Sequence, residues 1–201
     1  MKKLSVFALA FTLAFAVACK ADKKESNTNT ETEVENTETN TVTDKEPYDG
    51  GDLWVTLNPK SSSTVKGNVV FENEGDHVKM LLTASGLEPG EHAIHLHEKS
   101  DCSAEDGTST GGHWNPTGEP HGKWGATEGY HKGDIGNFTA SDNGKATYTF
   151  STDEWCIGCG DEAKDILGKA IIIHQGTDDF TTQPTGDAGG RVSCGGIINL
   201  E

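Results

Sequence analysis

Apolar residues recur at alternate positions in several short runs divided by turn-forming residues. Leu53, Val55 and Leu57 alternate until Asn58-Pro59; Val65, Gly67, Val69 and Phe71 end at Glu74-Gly75; Val78, Met80 and Leu82 precede Glu88-Pro89-Gly90. Ala146, Tyr148 and Phe150 follow Asp142-Asn143-Gly144, and two denser apolar runs cover 170–173 and 196–200. A period of two sends every second side chain to one face, and no segment sustains the 3.6-residue period of an amphipathic helix. The pattern predicts an all-β domain, an antiparallel sandwich or barrel. One short helical turn is expected over 161–167. Between 98 and 137 lies a span rich in Gly, Pro, Trp and His with no strand pattern, and a loop that long inside a compact domain is usually functional.

Composition narrows the classes of function. The 201 residues carry 16 Lys plus Arg against 32 Asp plus Glu, a formal charge of −16. That balance excludes nucleic acid as a partner, because binding its backbone needs clustered cations. Past residue 20 no apolar run approaches the ~18–20 residues that span a bilayer.

The N-terminal region carries its own signals. Met1-Lys2-Lys3 and the apolar stretch 4–18 close on Ala16-Val17-Ala18-Cys19, the layout of a signal peptide over 1–18. A Cys directly after small residues resembles the lipobox of bacterial lipoproteins, so Cys19 is expected to become the lipidated first residue. An ordinary signal peptide cleaved nearby, or a short hydrophobic anchor, is the alternative. Residues 19–50, mostly Thr, Asn, Glu and Lys, hold too little apolar surface to offset the entropy of ordering them. They read as a disordered acidic tether holding the domain, 51–201, off a membrane. The expected location is the bacterial cell envelope, in the periplasm or at the cell surface, lipid-anchored.

Candidate chemistry gathers in and beside the long loop. In Ala93-Ile94-His95-Leu96-His97 both imidazoles project from one face of a strand, with Ile94 and Leu96 on the other. Alone, such a pair also reads as exposed strand histidines. Further along come His113, His121 and His131, each beside or near Gly, and His174 after the apolar run 170–173. The segments HLHEKSDC, GGHWNPTGEPHG, HKGDIGNF and GDAGGRVSCG together resemble the copper/zinc superoxide dismutase family in its bacterial form, from about residue 52 to 201.

The resemblance implies a Greek-key antiparallel β-barrel or sandwich of about eight strands with long metal-binding and electrostatic loops. It assigns a copper ion to His95, His97, His113 and His174, and a zinc ion to His113, His121, His131 and Asp134, with His113 shared. The donor sets agree with that assignment, since imidazoles suit Cu(II) and a mixed nitrogen and carboxylate set suits tetrahedral zinc. Asp178 matches an outer carboxylate linking His95 to His121, its other reading being a turn residue in Thr177-Asp178-Asp179. Arg191, the sole arginine of the chain, matches an arginine beside the copper. Its planar, always-charged fork of donors can dock a small anion, and a surface salt bridge is the alternative. Arg191 and His113 are thus the implied catalytic residues, the first attracting superoxide anion and the second returning a proton. The implied activity is disproportionation of superoxide to oxygen and hydrogen peroxide. A non-catalytic copper/zinc-binding lipoprotein for storage or delivery is the rival reading.

The resemblance also pairs Cys102 with Cys194. Cys156-Ile157-Gly158-Cys159 has no counterpart in the family pattern, and without a His at 160 it is not a c-type haem site. A local disulfide is expected there, with a redox or metal-capturing pair as the alternative. The segment after Asp179 lacks the lysine and glutamates that animal members use to guide substrate, leaving Lys99 and Lys123 as candidate steering cations. His77 and His92 match no ligand position and read as ordinary polar residues. Monomer and homodimer both stay open.

Overall fold

The computed structural model describes residues 48–199; the signal peptide over 1–18, Cys19 and the tether up to residue 47 lie outside the described residues. Eight strands follow in order: β1 (Leu53–Pro59), β2 (Lys66–Glu74), β3 (His77–Ser85), β4 (Gly90–His97), β5 (Gly136–Ala140), β6 (Lys145–Thr152), β7 (Ala170–His174) and β8 (Arg191–Gly196). Every pairing is antiparallel, in the spatial order β5-β4-β7-β8-β1-β2-β3-β6. The chain makes the meander β1-β2-β3 and crosses to β4-β5. It then returns for β6 and crosses again to β7-β8, which is the Greek-key course. At the tight turn between β5 and β6, Ser141 N–H donates to Lys145 O at 2.9 Å and Gly144 N–H to Ser141 O at 2.8 Å. This turn brings the two edge strands together and nearly closes the barrel. Among the described residues no helix is long and apolar enough to cross a membrane.

The period-two pattern sorts side chains as expected. Leu53, Val55 and Leu57 are buried while Trp54, Thr56 and Asn58 face outward. Val69, Phe71, Met80 and Leu82 from β2 and β3 meet Ile94, Leu96, Ile171 and Ile173 from β4 and β7 inside the barrel. Each such side chain contributes about 1.5–3 kcal/mol on burial. Ile94 and Leu96 turned inward oblige His95 and His97 to leave the barrel, and the long loop covers them, so β4 is buried on both faces.

Two strands depart from the pattern. The last lies at Arg191–Gly196, earlier than the apolar run 196–200 suggests. A Cβ at Gly195 would stand 2.7 Å from Val55 Cγ1 and 2.8 Å from Thr56 O, so β8 packs by bare backbone and shows no alternating apolar signature. β5, at the end of the long loop, buries only Phe138 and Ala140 as apolar side chains and left as little trace. Over 161–167 a single turn forms, with Asp165 N–H donating to Asp161 O at 2.7 Å. Cys102 is bonded to Cys194, which anchors the loop after β4 to β8 across a sequence separation of 92. In the chain-entropy model such a closure contributes about 4–5 kcal/mol.

Candidate metal centre

The long loop is stitched to β4 by backbone hydrogen bonds. Trp114 N–H donates to Leu96 O at 2.8 Å, Leu96 N–H to Gly133 O at 2.9 Å, and Gly133 N–H to Trp114 O at 2.9 Å. The loop segments that carry His113, His131 and Asp134 are thereby laid against the strand that carries His95 and His97. β7 supplies His174 from the other neighbour of β4. Two groups result, His95/His97/His113/His174 and His113/His121/His131/Asp134, each with its ligand atoms within 4.8 Å of one another and every member buried. His113 belongs to both.

The ring orientations show which atoms are left for a metal. His95 Nε2 and His121 Nε2 donate to the two oxygens of Asp178, at 2.8 and 2.9 Å. His97 Nδ1 donates to Gly111 O at 3.0 Å, and His174 Nδ1 faces Gly189 O at 3.4 Å. In each case the outward nitrogen is tied to an acceptor, the arrangement that fixes the tautomer of metal-binding imidazoles. The inward atoms are His95 Nδ1, His97 Nε2, His113 Nε2 and His174 Nε2 on one side. On the other, His113, His121 and His131 turn their Nδ1 atoms to the Asp134 carboxylate at 2.8, 3.0 and 3.2 Å. His95 Nδ1 and His113 Nε2 are buried without any hydrogen-bond partner, and His121 Nδ1 and His131 Nδ1 face Asp134 without making a well-directed bond to it. Orphaned buried nitrogens are costly unless a ligand satisfies them. A cation in each group does so, and the residues therefore fit copper on the all-imidazole side and zinc on the side that includes Asp134.

Electrostatics divides the two groups. Burial, reinforced by neighbouring imidazoles, holds His97 and His174 well below the ordinary imidazole range. Burial also lowers His113, to about 4, against the pull of Asp134. For His121 burial again opposes the charge, but Asp134 and Asp178 prevail and raise it to about 9. Both carboxylates lie well below their usual range: burial works against their charge, and the imidazole donors outweigh it. A raised imidazole contributes stability that is complete below its ordinary value of 6.5 and is lost as pH climbs through about 9. In the metal-free protein at pH 7 His121 therefore holds a proton that zinc must displace. Calorimetric zinc titration in buffers of different ionisation enthalpy is expected to show about one proton released at pH 7, declining toward pH 9.

Arg191 opens β8 opposite His174. Its guanidinium donates to Gly107 O at 2.7 Å, Thr110 Oγ1 at 2.8 Å and Gly111 O at 2.8 Å. Gly111 O also accepts from His97, so one carbonyl fixes both the guanidinium and an imidazole of the first group. Of the five N–H donors of an arginine, these bonds leave two unused. Lys99 and Lys123 are both exposed, Lys99 with its backbone N–H on Thr110 O and Lys123 two residues beyond His121. A third cation, Lys60, escaped the sequence reading. Its Nζ donates to Cys102 O at 2.5 Å, and its stem and that of Arg191 flank Gly107.

Other supports were not legible from the sequence. Gln183 donates to His121 O and accepts from its N–H, at 2.8 and 2.9 Å. Asn137 does the same for Asp178, at 2.9 Å each way. His77 is an exposed partner of Asp76, as an ordinary polar residue would be. His92 is different: it is no ligand, yet it is buried with its ring nitrogens 2.9 Å from the carbonyls of His174 and Glu88. Gly186 stands where a Cβ would lie 1.9 Å from Asp178 Oδ1 and 2.7 Å from His121 Nε2, at a φ of +68°. Gly186→Ala is expected to displace the Asp178 carboxylate and lower metal affinity about 10–100-fold, the usual effect of losing an outer partner. Competition with a chelator of known affinity checks it.

The copper/zinc superoxide dismutase (SODC) family model matches residues 65–197, which span both groups. The chain belongs to the copper/zinc superoxide dismutase family. Its cofactors are accordingly copper and zinc, for which the paired groups provide the ligands. The chain is 37% identical over 150 residues to superoxide dismutase [Cu-Zn] 2 of Brassica juncea, covering 70% of this chain and 93% of that protein. Among solved structures it resembles a SOD-like protein from Bacillus subtilis, at a TM-score of 0.64 and 29% identity, covering 72% of this chain and 97% of that one. A double mutant of that SOD-like protein aligns with a TM-score of 0.64 and 31% identity, over 73% and 97% of the two chains.

Proposed function

We propose that this protein disproportionates superoxide to oxygen and hydrogen peroxide at the cell envelope. The observation that carries the reading is the His113 ring, whose Nδ1 meets Asp134 at 2.8 Å while its Nε2 belongs to the all-imidazole group and has no protein partner. When bound, copper supplies reversible one-electron transfer, and zinc supplies a fixed positive charge that favours the deprotonated form of the shared ring. The chain's own residues do the rest. Asp178 holds His95 and His121 in orientation, and Gly111 O holds His97. Arg191, half-buried and fastened by its three hydrogen bonds, offers its unused donors to the anion. His113 Nε2 is the atom at which a proton can be held for the peroxide product. Lys99 and Lys123, exposed on the loop that carries His113 and His121, are the further candidates for drawing an anion toward a strongly acidic protein.

Export and lipidation at Cys19 would set the domain at the membrane surface, supported by the apolar stretch 4–18 and the small residues before the cysteine. A rival role as a metal holder is favoured by the SOD-like name of the structural relatives. Both complete ligand groups together with Arg191 support the enzyme instead. The test is elemental analysis, electron paramagnetic resonance and superoxide consumption on one preparation, with Cys19→Ser compared by membrane fractionation. One copper, one zinc, a nitrogen-ligated signal and fast turnover are expected. A fully loaded protein without turnover would leave the metal holder standing.

A further inference from the structure

The Cys156–Cys159 bond has no part in the reaction above and differs in kind from Cys102–Cys194. We propose that it is a thiol–disulfide exchange site that takes two electrons from a dithiol-bearing protein.

The bond is the weaker clamp of the two. Its partners are 3 residues apart, against 92 for Cys102–Cys194, so it removes only about a third as much chain entropy. The loop is secured by other means. Cys156 N–H donates to Lys164 O at 2.9 Å, and Ile166 N–H to Cys156 O at 3.0 Å. The Asp165 carboxylate accepts from the N–H groups of Gly158, Gly160 and Leu167 at 2.9, 2.9 and 3.0 Å. Opening the sulfur–sulfur bond leaves all of these in place.

Access separates the two bonds as well. Cys159 is exposed and Cys156 half-buried, whereas Cys194 is wholly buried. A groove of about 690 Å³, lined by Gly160, Asp161, Glu162, Asp165 and Lys169 among others, opens at the same loop and includes no member of either metal group. Asp161 N–H points at Cys159 Sγ from 3.4 Å, where it can stabilise a thiolate.

The exchange follows from this geometry. A thiolate of the incoming dithiol attacks the exposed Cys159 Sγ, forming a mixed disulfide and expelling Cys156 Sγ, which takes up a proton. The second thiolate of the reductant then attacks its own sulfur in the mixed disulfide. Cys159 leaves as a thiolate facing the Asp161 N–H and is protonated. The reductant departs as a disulfide, and the pair has gained two electrons and two protons.

The test uses the full-length, copper- and zinc-loaded protein with reduced thioredoxin as the dithiol probe. Alkylation without denaturant and peptide mass mapping follow. Cys156 and Cys159 are expected to label together, about tenfold or more above Cys102 and Cys194, with metal content unchanged. The double variant Cys156→Ser/Cys159→Ser is expected to melt only a few degrees lower, well short of the loss in Cys102→Ser/Cys194→Ser. Absence of labelling in the native protein, equal labelling of both pairs, or a fall in melting temperature as large as that of Cys102→Ser/Cys194→Ser would each overturn the proposal. None of these readouts depends on superoxide turnover.

Discussion

Asp134→Asn is expected to strip zinc from the protein while copper remains on His95, His97 and His174. The buried carboxylate meets the Nδ1 atoms of His113, His121 and His131 within 3.2 Å and accepts the N–H groups of Gly122 and His131 at 3.1 and 2.8 Å. An amide keeps the volume but loses the charge that balances a cation, and one of its ends becomes a donor facing other donors. Removing one partner from such a buried cluster costs about 3–5 kcal/mol, or roughly a hundred- to several thousandfold in affinity. A pH signature accompanies the loss. Because the folded protein holds Asp134 below the ordinary carboxylate range, its stabilisation is present above that range and disappears on acidification. The zinc-free parent should therefore weaken below about pH 4, while the variant, already weaker, changes less over that interval. Zinc content per chain and melting curves against pH measure both effects. Zinc retained in full would remove Asp134 from the ligand set.

The second large effect concerns Arg191. Arg191→Ala is expected to lower the superoxide rate constant about tenfold or more and flatten its dependence on ionic strength, with copper content unchanged. The domain as a whole is acidic, so its average field repels an anion. Attraction must come from close range, within the roughly 8–10 Å that salt leaves unscreened. Arg191→Lys should recover only part of the rate. A single ammonium cannot reach Gly107 O, Thr110 Oγ1 and Gly111 O and also present donors to a ligand. Stopped-flow rates across a salt series provide the measurement, and an unaltered salt slope in the alanine variant would exclude a steering role.

Much of this was legible because strands and metal sites leave local marks. A period of two announces β1, β2, β3 and β6, and His95 and His97 two residues apart place both rings on one strand face. What escaped was not local. β8 ends in Gly195 and Gly196 because Gly195 lies against β1 with no room for a side chain, and β5 is too short to establish a period. Gln183, Asn137 and His92 act on residues 41 to 82 positions distant, through backbone groups that no motif encodes. Lys60 reaches Cys102 across 42 residues for the same reason. The His and Asp positions were recoverable only because several segments arrive together in a familiar order.

Asp178 and the His113 ring make two mechanical links between the metal groups, one by way of His95 and His121, the other within a single imidazole. Filling either position therefore fixes the orientation of side chains that the other requires. Each ion should then be held more tightly when its neighbour is in place, so copper alone in Asp134→Asn should exchange faster than copper beside zinc.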